Sequence, residues 1–130
     1  MLDTNVASYI IRGPNPTLAS HLTKVSMGQL SVSSITQGEL LYGLARKPGA
    51  INLQTAVREF LMRVEVMAWD SAAATRYGVL RSALELCGTP LGNLDTLIAA
   101  HALAMDAVLV TNDQAFVRVP ALLVENWVTQ

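Results

Sequence analysis

Four of the ten acidic residues in this chain, Asp3, Glu39, Asp95 and Asp113, stand where an α/β protein would place reactive groups. Carboxylates gathered without a basic residue between them repel one another strongly. Such a set persists when it binds a hard cation. Mg²⁺ or Mn²⁺ takes oxygen ligands, keeps several waters and bridges to phosphate. The chemistry that matches is hydrolysis of a phosphodiester, in which the metal activates water and offsets charge on the attacking and leaving oxygens. Each residue also has a plainer role. Asp3 and Asp113 fit helix or turn caps, Asp95 fits a first-turn carboxylate facing the helix dipole, and Glu39 fits a solvated charge at the edge of an apolar arc.

What favours the chemical reading is the order of the elements. Met1 and Leu2 form the tail of a strand that Asp3 ends. Helices are predicted over 5–12, 16–24, 34–46, 51–63 and 71–87. Ser34 or Thr36 caps the third of them, Asp70 caps the fifth, and Gly-Pro or Pro-Gly pairs stop the first and third. A further helix over 95–105 is apolar almost all round, as a helix buried on most sides must be. Strands are predicted over 30–33, 64–69, 107–110 and 122–128. Short apolar strands separated by helices give an α/β domain over residues 1–130 with a central, mainly parallel, short-stranded sheet flanked by helices. Ligands in such sheets bind at the carboxyl ends of the strands. Asp3 and Asp113 lie directly after strands, Ser34 follows another, Glu39 rides the helix that leaves it, and Asp95 opens the buried helix.

The remaining ionisable residues have structural roles. Asp106 fits a left-handed turn, Glu85 pairs with Arg81 four residues earlier, and Glu59, Glu65 and Glu125 read as solvated. His21 and His101 lack metal-ligand spacing. Cys87, the single cysteine, is expected as a buried thiol beside Leu84 and Leu86.

With 52% hydrophobic and 15% charged residues, disorder is excluded. The mean hydropathy of +0.37 exceeds what a lone monomer needs, so a homodimer or partner protein is expected. The richest apolar stretch, 94–110, is interrupted by Asp95, His101 and Asp106 and does not read as a membrane span. No basic, apolar leader is visible, and a cytoplasmic address is expected. The net charge of −1 advertises no nucleic-acid partner, so any such contact needs a local basic rim.

Four segments, MLDTN at 1–5, SSITQGELLYG at 33–43, LDTLIAAHA at 94–102 and LVTND at 109–113, resemble PIN domains in order and spacing. Within that family they resemble the VapC-type toxins of bacterial type II toxin–antitoxin pairs. The resemblance implies a Mg²⁺- or Mn²⁺-dependent endoribonuclease, dimeric, and held inactive by a VapB-type antitoxin. Asp3, Glu39 and Asp95 match the family's acidic triad, Asp113 its more variable fourth acid, and Asn5 and Ser34 the polar residues near the metal. The enteric branch, which the YG at 42–43 and AAHA at 99–102 resemble, cuts initiator tRNA in the anticodon region. RNA contacts are then expected from Arg12, Arg46, Lys47, Arg81 and Arg118. Two departures stand out. Asp106 occupies a position where relatives often carry Gly, and only two residues precede Asp3 where relatives have several apolar ones. Either the chain starts upstream or its first strand is stunted, which would loosen Asp3.

Other readings are a PIN-like nuclease of RNA processing, a non-catalytic phospho-receiver-like signalling domain, and a dead binding module. The receiver reading needs an acidic pair after the first strand and a Lys after the last. Neither is present.

Overall fold

Leu2 lies at the centre of the sheet. In the computed structural model, which describes residues 1–129, Leu2 forms parallel bridges to Val32 on one side and Val110 on the other. Those residues belong to β1 (Ser31–Ser33) and β3 (Leu109–Val110), which pair in turn with β2 (Glu65–Met67) and β4 (Val124–Glu125). The order across the sheet is therefore β2, β1, Leu2, β3, β4, all parallel. With two residues before it, Asp3 is nevertheless not loose. The Leu2 N–H donates to Ser31 O at 2.8 Å, the Val110 N–H to Met1 O at 2.8 Å and the Asp3 N–H to Val110 O at 3.0 Å.

Alternate residues of a strand face opposite sides, and two cores follow from that rule. Leu2, Val32 and Val110 face one side with Val6, Ala7, Leu18, Val57 and Phe60. These come from α1 (Thr4–Arg12), α2 (Pro16–Thr23) and α4 (Ile51–Arg63), and α3 (Ser34–Ala45) adds Leu40. Met1 and Leu109 face the other side with Leu80 and Leu84 of α5 (Ser71–Leu86) and Ile98, Ala99, Ala100 and Ala102 of α6 (Asn93–Ala104). The alanines let α6 lie close to both α5 and the sheet, so the expected burial of this helix on most sides is observed.

Caps fix where the helices start. Asp3 accepts from the Val6 N–H, Asn15 from the Leu18 N–H and Asp70 from the Ala73 N–H. At α3 the cap differs from expectation. Ser33, not Ser34 or Thr36, accepts from the Ile35 N–H, because the strand hands over to the helix one residue sooner. Asp106 adopts the left-handed conformation expected of it, with φ 52°.

Cys87 corrects another expectation, for its thiol is exposed. The apolar stripe of α5 buries Ala73, Leu80 and Leu84, but the helix ends at Leu86 and Cys87 is already its cap, beyond the surface that α6 covers. Among the described residues no helix is long and apolar enough to cross a membrane.

Candidate active site

Asp3 is the fixed point of the site. It leaves the central strand position of Leu2, starts α1 and is only 3% exposed. Its Oδ1 accepts from the Val6 N–H at 2.8 Å and its Oδ2 from the Thr111 hydroxyl at 2.5 Å. Burial pushes its pKa up, the two hydrogen bonds pull it back, and the charges of Asp113 and Glu39 push it up further.

Thr111 is the first residue after β3, and it joins Asp3 to Asp113. Its oxygen also accepts from the Asp113 N–H at 3.0 Å, which leaves its single proton for Asp3. Asp113 caps the 3₁₀ turn Gln114–Arg118 through the Ala115 N–H at 2.9 Å. The plain capping role and the site role therefore coexist, since one carboxylate oxygen caps and the other does not. Glu39, in the second turn of α3, is reached from the other side. The Thr4 hydroxyl, next in the chain to Asp3, donates to Glu39 Oε1 at 2.7 Å.

Asp95 differs from these three. It lies in the first turn of α6, whose N-cap is Gly92 without a side-chain cap. Its carboxylate accepts no hydrogen bond from the described residues, so the helix-capping role is not fulfilled. Burial raises its pKa most, followed by the charges of Asp113, Asp3 and Glu39. The charges of Asp113, Asp3 and Glu39 are thus near enough to Asp95 to disfavour its ionisation.

None of the four forms an ion pair, for the one ion pair among the described residues joins Arg81 to Glu85 elsewhere on the surface. Among the described residues no three His, Cys, Asp or Glu side chains stand close enough to grip a metal unaided. Mg²⁺ commonly keeps several waters and takes only one or two carboxylates directly. The donors are all oxygens and none of the carboxylates is ion-paired, so the residues present fit a hard divalent cation.

Ser34 and Asn5 are placed differently from each other. The Ser34 oxygen is occupied by the Trp69 N–H at 3.0 Å and ties the exit of β2 to α3. Asn5 is exposed on α1, one residue beyond Thr4. Of the basic residues, Arg12, Arg46 and Lys47 line one groove of about 350 Å³ together with Thr4 and Glu39. Arg81 is engaged with Glu85 and Tyr77 beside a different hollow, away from this groove. Arg118 lies exposed on the turn that Asp113 caps. A second groove holds Thr111, Asn112, Asp113, Gln114 and Asn126. Thr4 of the first groove follows Asp3 in the chain, and Thr111 of the second donates to it.

The residues that sequence reasoning missed are Thr4, Thr36 and Thr111. Their signal was adjacency: Thr4 follows Asp3, and Thr111 stands two before Asp113.

The chain matches the PIN domain family over residues 1–122. It is 37% identical to ribonuclease VapC2 of Rickettsia felis, over 98% of the chain and 96% of that protein. It is 34% identical to the tRNA(fMet)-specific endonuclease VapC of Shigella flexneri, again over 98% and 96%. The crystal structure of DNA-bound VapBC from Salmonella typhimurium superposes with a TM-score of 0.91 at 34% identity, covering 98% of this chain and 96% of that one.

Proposed function

Since the chain belongs to the PIN-domain family, we propose that it is a VapC-type ribonuclease toxin that hydrolyses RNA phosphodiester bonds with a bound Mg²⁺ or Mn²⁺. What supports this reading is the linkage of the acids: Asp3 is joined to Asp113 through Thr111, and Glu39 accepts from Thr4, the residue after Asp3, while Asp95 opens α6 without a protein donor. Asp3, Asp95, Glu39 and Asp113 would hold the ion, directly or through water. When bound, the ion supplies a Lewis acid that sharpens a water for attack and offsets charge at phosphorus.

The chain's own residues do the rest. Asp3 presents oxygens whose orientation Val6 and Thr111 have already set. Asp95, with no protein donor on its carboxylate, is free to turn toward the ion or orient a water. Arg12, Arg46 and Lys47 offer phosphate contacts along the groove that leads to Glu39. Arg118 adds charge beside Asp113, while Arg81 is spent on Glu85 and contributes least.

Initiator tRNA, cut in the anticodon region, is the substrate we assign, supported by the likeness to the Shigella flexneri endonuclease. A VapB-type antitoxin is the partner, the cytoplasm the setting, and residues 1–130 act as one PIN domain. Sequencing RNA ends after a brief pulse of expression in a bacterial host tests this. New ends should accumulate at one position of the initiator tRNA anticodon loop; ends scattered over many RNAs would discard the substrate, and no new ends would discard the nuclease.

The free protein is further expected to be a homodimer. Tyr42, Ile51, Met62, Val79, Leu86, Val117 and Leu123 are each more than 60% exposed, a large apolar area for a lone chain. Light scattering at micromolar concentration should give about twice the 14.0 kDa of one chain. A mass of one chain would refute the dimer.

A further inference from the structure

Glu39 reaches the site from the second turn of α3, on a long side chain with several rotatable bonds. Among the described residues only one group holds it, the Thr4 hydroxyl at 2.7 Å from Oε1. A second hydroxyl stands behind the first: Thr36 Oγ1 is 3.0 Å from Thr4 Oγ1. The direction of this chain follows from counting protons. An ionised carboxylate only accepts, and a threonine hydroxyl has one proton to give. Thr4 gives its proton to Glu39, so Thr36 must be the donor to Thr4. Thr36 is fully buried, and its hydroxyl has no other hydrogen bond among the described residues.

We propose that Thr4 is the positioning residue for Glu39, oriented in turn by the buried Thr36, and that this relay sets how well the acidic set binds its cation. The inference rests on the reading of Asp3, Glu39, Asp95 and Asp113 as a cation site. Thr4 suits the task because it is covalently next to Asp3. A hydrogen bond from this residue locks the Glu39 carboxylate to the same backbone turn that carries Asp3, although the two acids come from different helices. Oε1 is taken by Thr4, which leaves Oε2 as the oxygen that meets the ion or its water. The β-branch restricts χ1 of Thr4, so the hydroxyl points one way before any ion arrives. A donation from Thr36 polarises the Thr4 hydroxyl and strengthens its bond to Glu39.

The experiment is calorimetric titration of the metal-stripped full chain with Mn²⁺, with melting curves to establish folding. Thr4→Val keeps the shape and removes the hydroxyl; it should weaken Mn²⁺ binding about tenfold or more, the range for the loss of an outer partner of a metal ligand. Thr4→Ser restores the donor and should stay within about threefold of the natural protein. In a Glu39→Gln background, Thr4→Val should change the affinity by less than about twofold, because the group through which Thr4 acts has lost its charge. A merely structural Thr4 would lose the same factor in both backgrounds, and that result overturns the proposal. So does natural affinity in Thr4→Val. Should Thr4→Val fail to fold, Thr36→Val serves instead: a loss of about twofold that vanishes with Glu39→Gln supports the relay, and an unchanged affinity overturns it. A natural protein that binds no Mn²⁺ overturns this proposal together with the cation site, whereas additivity on a protein that does bind Mn²⁺ overturns the relay alone.

Discussion

EDTA should stop RNA cleavage by the purified protein, Mg²⁺ or Mn²⁺ should restore it, and Asp3→Asn should lower the restored rate by at least about 100-fold. That factor is the upper end of what losing an outer partner of a metal ligand costs, and Asp3 stands closer than that. The change is nearly isosteric, but it disorders the bonding around it. An amide at the Oδ2 position points two protons at the Thr111 oxygen, which already accepts from Asp113. One change therefore removes a charge and disturbs the connection to the fourth acid. The inactive protein also allows RNA binding to be measured without cutting. In the Asp3→Asn background, Arg46→Ala should weaken binding and flatten its salt dependence, since Arg46 lines the groove beside Glu39. Arg81→Ala should do neither, its guanidinium being bound to Glu85 at 2.9 Å. Cleavage that survives both EDTA and Asp3→Asn would end the metal-nuclease reading.

Asp95→Asn should make the metal-free protein more stable while abolishing its activity. Asp95 is charged in a field set by Asp113, Asp3 and Glu39, and burial adds to the penalty. Water on its exposed side screens part of this repulsion, so the relief is held to about 1 kcal/mol, worth roughly 3–5 °C in melting temperature for a chain of this size. The pH dependence has a definite sign. A carboxyl whose folded pKa is raised binds more protons folded than unfolded, so stability falls as pH rises from the ordinary aspartate value through the raised one. The advantage of Asp95→Asn should thus vanish only well below the ordinary aspartate value of about 3.9, where the natural side chain is protonated in both states, and should grow as pH rises from there through the raised folded value. Added Mn²⁺ should stabilise the natural protein more than the variant. Melting curves from about pH 2.5 to 8, with and without Mn²⁺, measure all of this. A variant that keeps cleaving with an unchanged Mn²⁺ response would remove Asp95 from the site.

How much of this was legible in the sequence depended on the range of the interaction that decided each feature. The helix over 51–63 was read to its ends, because its apolar period and its Pro-Gly lead-in are local signals. The strands were legible as elements but too long by several residues. Val64 and Trp69 fall outside β2, for instance, because parallel pairing with β1 ends where β1 gives way to α3. Asp3 and Asp113 were recognisable from the rule about strand ends, whereas Ser33 was not, since whether a strand or a helix owns a residue at their junction is settled by the neighbouring strand. Cys87 was misplaced for a related reason. Periodicity continues past the last residue that a partner helix covers, and only the packing of α6 reveals where that is. The threonines escaped notice because a hydroxyl carries no charge or hydropathy signal, and its meaning here comes from partners 32 to 108 residues away.

The central place of Leu2 in the sheet also has a meaning in time. Leu2, which joins β1 to β3, is synthesised well before its partner Val110. Asp3 waits through 108 residues for Thr111, which at synthesis rates of about 5–20 residues per second is roughly 5 to 20 seconds. Over that interval the chain can form helices but cannot complete the acidic set. A ribonuclease built this way would be inert toward the ribosome making it until Thr111 and Asp113 have been added.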